Sequence, residues 1–355
     1  IVYHTVNYRL TILDVSTPSS PTTIGSYTST YALHKVEVSG DYVYGLHSDR
    51  VFAFDVSDRT NPELVSTYSV GAYEYARDIA LAGDYAYVAE IGLEIIDVSI
   101  PESPSFVAHY ISEHKYCIAV QGDYAYLGGM DIIDVSNLYE PVLLGSGGTP
   151  DRVYGGVYVQ GQYAYVTLGS YGIDIIDISD PYNPNPIAYY DTPGFASDIY
   201  VNENFAYISD SWEGAIILDV SDPYNPAFVE VYDTPGAARS NCIDGEYIYV
   251  ADDFSLMVLR FIGGPCDYIP GDCDHNGIPL EISDVITMIG NYRGTIAPYY
   301  RCDCGVDPPG SHFAATADPN GNCVANELSD VVIEIGAYRG LAEASGCPDC
   351  PGSGR

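Results

Sequence analysis

The 355-residue sequence is poor in basic residues, with 13 Lys and Arg against 49 Asp and Glu, and Lys35 and Lys115 are its only lysines. The formal net charge is −36. A surface of that sign repels phosphate backbones, which excludes nucleic acid as an expected partner. No apolar run approaches the roughly 20 residues that a helix needs to span a bilayer. The chain opens at Ile1 without a signal-peptide pattern, and we interpret it as a processed or trimmed secreted chain.

Cysteine is also scarce over most of the chain. Of the nine cysteines, seven lie within about the last 90 residues, a density typical of a disulfide framework in an oxidising compartment. The disulfide candidates are Cys266, Cys273, Cys302, Cys304, Cys323, Cys347 and Cys350. A four-thiolate zinc site from Cys302, Cys304, Cys347 and Cys350 is the alternative. Cys117 and Cys242 fall on strands of non-neighbouring repeats, so we expect both to be buried as small apolar side chains without a bond between them.

Tyrosine is abundant, with 35 residues, and its placement reveals an internal repeat. The stretch Gly83–Ser99 predicts a hairpin in which Tyr85 and Tyr87 share one face of the first strand and the chain turns near Gly92. Seven copies of this hairpin occur at spacings of 39 to 43 residues. A period near 40 with about four strands per unit predicts a seven-bladed β-propeller over residues 1–262.

The predicted strands of each repeat are labelled A to D, as in Asp78–Leu81 (A), Tyr85–Ala89 (B), Leu93–Val98 (C) and Ser105–Tyr110 (D). B and C occur seven times, whereas A is absent from the first repeat and D from the last. Open strand edges of this kind are usually covered. The tail, missing upstream residues or a strand donated by another subunit could cover them, and side-chain packing alone is the simpler way to close the ring.

The repeat consensus, Tyr-Ala-Tyr-Val followed by Leu-x-Ile-Ile-Asp-Val-Ser-Asp-Pro, resembles the LVIVD-repeat family. That resemblance implies a bacterial or archaeal surface or secreted β-propeller, without a general activity. The Asp of Asp-Val-Ser recurs in six blades, so we interpret it as a turn-forming residue rather than a catalyst.

Residues 263–271 form a predicted linker, and a different pattern occupies 272–355. An Asp-x-Asp-x-Asn loop followed by a helical segment occurs twice, 46 residues apart, each helix beginning at Ser-Asp and ending at Arg-Gly. This duplicated unit resembles a dockerin module, which implies two calcium sites and a cohesin partner. The loops contain the oxygen ligands that Ca²⁺ prefers, and metal-free Asx turns are the alternative. The predicted ligands are Asp272, Asp274, Asn276, the Ile278 carbonyl, Glu281 and Asp284 in loop one, and Asp318, Asn320, Asn322, the Val324 carbonyl and Asp330 in loop two.

Five of the 13 cations precede or begin an A strand. They are Lys35, Arg77, Lys115, Arg152 and Arg239. If A is the innermost strand, these side chains surround one mouth of the central channel and form an anion site. The alternative is pairing with nearby carboxylates such as Asp78, Asp151 and Asp198.

No catalytic constellation is evident, since the seven His share no spacing and no nucleophile elbow occurs. We therefore expect a non-enzymatic structural or adhesive protein outside a prokaryotic cell. It would assemble through its propeller edges and its tail. The specific form that we expect is a homopolymeric extracellular fibre. The alternatives are a propeller enzyme or glycan-binding subunit that the tail tethers to a cohesin-like scaffold, and a propeller that binds an anionic ligand.

Overall fold

The computed structural model describes residues 1–260 apart from 7, 19, 72–75, 129, 149–154, 246 and 254. Within this part, 25 strands form seven antiparallel sheets, one for each predicted repeat. The sheets are the blades of a seven-bladed β-propeller, as predicted. The predicted linker, the helical module, both calcium loops and all seven disulfide candidates lie outside the described residues.

Four blades contain four separate strands in the order A, B, C, D. Their strands are β4 (Lys35–Ser39), β5 (Tyr42–His47), β6 (Arg50–Asp55) and β7 (Glu63–Ser69) in blade 2; β11 (Ile118–Gln121), β12 (Tyr124–Leu127), β13 (Asp131–Asp134) and β14 (Val142–Ser146) in blade 4; β15 (Val157–Gln160), β16 (Tyr163–Thr167), β17 (Ile173–Asp177) and β18 (Asn185–Tyr190) in blade 5; and β19 (Asp198–Asn202), β20 (Phe205–Ser209), β21 (Ala215–Asp219) and β22 (Ala227–Tyr232) in blade 6.

The other three sheets contain three strands each. They are β1 (Val2–Val6), β2 (Arg9–Asp14) and β3 (Thr22–Thr28) in blade 1; β8 (Asp78–Ala82), β9 (Tyr85–Asp97) and β10 (Ser105–His114) in blade 3; and β23 (Ala238–Asp244), β24 (Tyr247–Asp252) and β25 (Leu256–Arg260) in blade 7.

Blade 3 has its full set of strand segments, because β9 contains both B and C. The Val98 N–H donates to the Asp84 carbonyl at 2.8 Å, so the 13 residues of β9 must reverse direction. An extended run of that length would instead separate its ends by roughly 40 Å. Gly92, at φ 95°, lies where the second half of β9 begins to pair with β10. The predicted turn near Gly92 is therefore confirmed.

Burial explains the amino-acid pattern of each blade. The B and C strands are covered on both faces by neighbouring blades, so almost every residue of β16 and β17 is buried. Strand D is the outermost strand, and every residue of β18 is exposed or half-buried. The innermost A strands, such as β4 and β15, are also mostly half-buried or exposed. Burial is therefore greatest in the middle of the blade, which accounts for the near-continuous apolar runs of strand C.

The second aromatic residue of six B strands is a buried tyrosine, at 6% exposure or less. These residues are Tyr44, Tyr87, Tyr126, Tyr165, Tyr207 and Tyr249. Burial raises the pKa of Tyr44, Tyr165 and Tyr207 to about 12. The Tyr44 hydroxyl donates to the Val98 carbonyl of the next blade at 3.4 Å. Tyrosine therefore supplies apolar volume in the core, and the Tyr44 hydroxyl also has a hydrogen-bond partner.

The repeated Asp of Asp-Val-Ser forms a turn in six blades. Each carboxylate accepts a hydrogen bond from the N–H two residues later, at 2.8 or 2.9 Å. The pairs are Asp14–Ser16, Asp55–Ser57, Asp97–Ser99, Asp134–Ser136, Asp177–Ser179 and Asp219–Ser221. The bond to Ser57 lowers the pKa of Asp55. A local turn is therefore the role of this Asp, as the sequence predicted.

Within the described residues, the sheet of blade 1 contains no A strand and the sheet of blade 7 contains no D strand. The residues that follow β25 in the chain lie outside the described part. One prediction that depended on the same region was wrong. Cys117 is buried, but Cys242 is exposed. Cys242 lies on the A strand of blade 7, and the next blade of the ring has no described A strand to cover it. In the part of the chain that the structure describes, no helix is long and apolar enough to cross a membrane.

Candidate functional site

On the channel side of blade 1, β1 is the innermost strand that the structure describes. In five complete blades the residue after strand C donates its N–H to the residue before strand B, as Val56 does to Asp41 at 2.8 Å. Hydrogen-bonded pairs alternate along an antiparallel ladder, so the same register in blade 1 makes Val2 and His4 bond to β2. The N–H and C=O groups of Tyr3 and Thr5 then point away from β2. No described strand pairs with them.

On the outer side of blade 7, β25 is the last strand that the structure describes. The Asp252 N–H donates to the Ser255 carbonyl at 3.0 Å, which fixes the hydrogen-bonded pairs between β24 and β25. By the same alternation Met257 and Leu259 bond to β24, and the backbone of Val258 points outward. Among the described strands, none lies beyond β25.

The two incomplete blades meet and close the ring by side-chain packing. Val2 and Val15 of blade 1 share one apolar cluster with Tyr249 of blade 7, all at 8% exposure or less. Leu256 and Val258 of the outer strand pack against this cluster. Side-chain packing, one of the predicted arrangements, therefore contributes to the closure. The predicted covering by the tail concerns residues outside the described part.

Among the described residues, the junction of blades 7 and 1 has a smaller buried cluster than the junction of blades 2 and 3. Between blades 2 and 3, eleven described residues form the buried cluster, including Ile79 of strand A, with Leu81 packed against it. Between blades 7 and 1, three described residues form the corresponding cluster. A cleft of about 480 Å³ remains there, lined by Ile1, Val15, Tyr247 and Tyr249 among others. Between blades 2 and 3, side chains of strand A pack at the equivalent place, and no described strand of blade 1 takes that place.

The channel-mouth cations that the structure describes have partners. Lys35 Nζ lies 3.5 Å from Asp78 Oδ1, and Lys115 Nζ lies 2.7 Å from Asp131 Oδ2. Arg239 donates two hydrogen bonds to Asp253, at 2.8 and 3.1 Å. The Arg77 guanidinium lies 6.0 Å from the centre of the Tyr116 ring. Arg152, the fifth predicted member, lies outside the described residues, as does Asp151.

One position of strand A brings several of these groups together. It lies seven residues before the first aromatic of strand B and is occupied by Lys35, Asp78, Cys117, Gly156, Asp198 and Ser240 in blades 2 to 7. The charge of Asp78, followed by that of Asp198, holds the pKa of Lys35 above its ordinary value. Lys35 is thus flanked by carboxylates from blades 3 and 6, and burial raises the pKa of neighbouring Glu37 to about 7.

The two aspartates at this position join neighbouring blades. Asp78 Oδ2 accepts from the Ile118 N–H of blade 4 at 3.0 Å. Asp198 Oδ2 accepts from the Ser240 hydroxyl of blade 7 at 2.6 Å and from the Asn241 N–H at 3.3 Å. Both carboxylates therefore satisfy N–H groups on the uncovered edge of the next A strand. Within the described residues, no group of three or more His, Cys, Asp or Glu is arranged to hold a metal ion.

The repeat geometry can now be compared with known proteins. The model of the LVIVD repeat matches seven segments, which together cover more than half of the chain: residues 5–29, 33–70, 74–111, 116–149, 154–192, 193–234 and 235–259. This chain belongs to the LVIVD-repeat family. The seven matched segments correspond to the seven blades, and the sequence resemblance of residues 1–262 is confirmed.

Solved structures support the fold of the LVIVD-repeat unit. The computationally designed Ika8 protein is 8% identical with a TM-score of 0.52, covering 67% of this chain and 74% of that chain. A chain in the crystal structure of the mitotic checkpoint complex is 12% identical with a TM-score of 0.59, covering 73% of this chain and 83% of that chain. At these identities the likeness concerns the fold alone. No curated protein matches the chain.

The third LVIVD repeat contains a buried acidic cluster that the sequence analysis missed. Glu90 and Glu94 are 1% and 2% exposed. Glu94 accepts from the Tyr68 hydroxyl at 2.6 Å and from the Gly71 N–H at 2.9 Å. His109 Nε2 lies 3.0 Å from Glu90 Oε1. Glu90 and Glu94 are four residues apart, on either side of the Gly92 turn. That spacing is the sequence feature from which the acidic cluster could have been predicted.

We expect this cluster to make stability fall as pH rises. Burial raises the pKa of Glu94, and the contact with Glu90 raises the pKa of His109. When the pKa of a group is higher in the folded state than in the unfolded state, the group stabilises the fold at pH values below its pKa in the unfolded state. This stabilisation is lost as the pH rises through its pKa in the folded state. Replacing Glu94→Gln should therefore reduce the fall in melting temperature between about pH 5 and about pH 8.

The control for this prediction is Glu113→Gln, at an exposed position of the same blade. It should keep the pH dependence of the wild type, because its carboxylate is in water. Melting curves by circular dichroism at several pH values measure both variants. Equal pH dependence in the Glu94→Gln variant and the wild type would contradict the expectation.

Proposed function

We propose that this chain is a structural protein of the cell exterior that joins to further copies of itself through the uncovered edges of blades 1 and 7. The observation that carries the proposal is the junction where both incomplete blades meet. It combines two rows of outward N–H and C=O groups with a cleft of about 480 Å³. Unpaired edges of this kind are templates for strand addition.

The chemistry of an incoming strand follows from the complete blades. A strand that pairs with β1 would place alternate side chains in the cleft, where Ile79 and Leu81 lie in blade 3. Burying each such side chain stabilises the contact by about 1.5–3 kcal/mol. Each backbone hydrogen bond to Tyr3 or Thr5 adds about 1 kcal/mol. Two buried apolar side chains and a few backbone hydrogen bonds are enough for a specific, reversible contact between two copies of the chain.

Features of the tail support the extracellular part of the proposal. Seven cysteines within about 90 residues suit an oxidising compartment. We propose that the duplicated Asp/Asn loops of 272–340 bind Ca²⁺ and that this dockerin-like module contributes to the joint between copies. The tethered alternative, in which the module binds a cohesin-like scaffold, makes the purified chain a monomer.

The test measures the particle mass of the full-length chain by light scattering and its shape by negative-stain electron microscopy, with calcium chloride and with EDTA. We expect large regular assemblies from the wild type in calcium. Thr5→Pro and Val258→Pro remove one outward N–H from each uncovered edge, and each variant should give monomers. Loss of the wild-type assemblies in EDTA would assign the calcium module to the joint.

The matched control is Phe228→Pro on the outer strand of blade 6. Blade 5 already has Pro186 at the equivalent position, so the strand tolerates proline there. This variant should assemble as the wild type does. A wild-type monomer under both conditions, or assembly by both edge variants, would overturn the proposal. Circular dichroism checks that every variant is folded.

A further inference from the structure

Three consecutive blades present a tyrosine at one position of the turn between strands C and D. The turn follows the pattern Asp-x-Ser-x-x-Tyr-x-Pro, and its tyrosines are Tyr139, Tyr182 and Tyr224 in blades 4, 5 and 6. Their exposed fractions are 74%, 64% and 54%, whereas the second aromatic residue of six B strands is a buried tyrosine. Blade 2 has Thr60 and blade 3 has Glu102 at the same position. The row is therefore a property of one side of the ring.

Hydrogen bonds hold each of these turns in a defined conformation. In blade 5, Asp180 accepts from the Tyr182 N–H at 3.0 Å and from the Asn183 side-chain amide at 2.8 Å. In blade 6, Asp222 accepts from the Tyr224 N–H at 3.1 Å and from the Asn225 amide at 2.8 Å. A ligand that contacts the rings has little backbone entropy to remove, because the turns are already ordered.

Polar residues flank Tyr182 in its turn, and the neighbouring blade packs against the backbone of that turn. Gly145 of blade 4 lies against the turn of blade 5, where an added Cβ would come within 2.6 Å of the carbonyl oxygens of Pro181 and Tyr182. The next blade therefore contributes backbone rather than a side chain at this contact. Beside the ring stand a carboxylate and an amide, Asp180 and Asn183, both exposed. An aromatic face stacks on the C–H face of a sugar, and carboxylate and amide oxygens accept bonds from its hydroxyls.

The arrangement favours one class of ligand. With a net charge of −36 the protein repels polyanions, which disfavours acidic polysaccharides and nucleic acids. A protein partner generally needs a continuous desolvated centre, whereas these rings are one blade apart and separated by polar turns. We propose that Tyr139, Tyr182 and Tyr224 form three stacking platforms for a linear, uncharged polysaccharide.

The test is affinity electrophoresis of the full-length chain in native gels that contain hydroxyethylcellulose, xylan or galactomannan, followed by titration calorimetry with the polysaccharide that retards it. Each single Tyr→Ala variant should weaken binding by about threefold to tenfold. The triple variant should weaken it by about a hundredfold or more. Thr60→Tyr combined with Glu102→Tyr extends the row to blades 2 and 3 and should strengthen binding.

Tyr8→Ala is the matched control, since Tyr8 is 54% exposed but lies in the hairpin of blade 1, outside the row. It should bind as the wild type does. The proposal is overturned if no uncharged polysaccharide retards the wild type, or if the triple variant binds equally well. Loss of self-association without any change in polysaccharide binding would also overturn it and would assign the row to contacts between copies.

Discussion

Asp78→Ala should lower the free energy of unfolding of the propeller by about 3–5 kcal/mol. The Asp78 side chain is only 10% exposed and is the nearest carboxylate to Lys35 Nζ, at 3.5 Å. Its other oxygen accepts from the Ile118 N–H of blade 4 at 3.0 Å. Alanine would leave a half-buried ammonium and a buried N–H without this partner, and the loss of both is costly.

Urea denaturation followed by tyrosine fluorescence measures this effect. Asp78→Asn should fall between the wild type and the alanine variant, because an amide oxygen still accepts from an N–H but carries no charge. Asp41→Ala is the matched control, at an exposed turn of blade 2, and should change stability by less than about 0.5 kcal/mol. A change of that small size for Asp78→Ala would show that the contact between blades 2, 3 and 4 does not stabilise the ring.

Gly92→Ala should destabilise the propeller by about 3 kcal/mol or more. Gly92 has φ 95°, a conformation that residues with a Cβ rarely adopt. An added Cβ would also overlap the Tyr110 carbonyl oxygen and would lie 2.8 Å from the Ser112 N. Both atoms belong to the backbone of β10, so relief of the overlap requires the strand itself to move.

Gly83→Ala is the control that separates the two causes. Gly83 also has a positive φ, 57°, but no atom lies within 4 Å of an added Cβ. Only the conformational cost applies there, which is about 1 kcal/mol. Melting curves of the two variants should therefore differ clearly. Equal melting temperatures would mean that β10 moves away from Gly92 at little cost and that the close contact is unimportant.

Equivalent positions in different blades separate structural residues from functional candidates. The Asp of Asp-Val-Ser has one partner and one role in six blades. The position of Asp78 is occupied by five different residue types in six blades, among them Lys35, Gly156 and Ser240. The turn position of Tyr182 is aromatic on one side of the ring only. A site in a repeat protein is expected where the repeat is broken, because symmetric positions serve the packing that every unit needs.

Much of this fold is predictable from the sequence because its determinants are local and repeated. The spacing of Tyr-Ala-Tyr and Asp-Val-Ser determines the number of blades and the positions of strands B and C. Alternation along a strand and a two-residue Asp turn need only neighbouring residues. Counting strands was enough to locate the junction that carries the proposed function.

Contacts between blades were decided by the tertiary structure. Lys35, Asp78 and Asp198 come from blades 2, 3 and 6, and only the closure of the ring brings their charges together across the channel. The pairing of His109 with Glu90 likewise depends on where strand D lies beside the Gly92 turn. Cys242 is exposed because no described strand of blade 1 covers it. Periodicity gives the position of a residue within its blade, whereas its neighbours depend on the radius and closure of the whole ring.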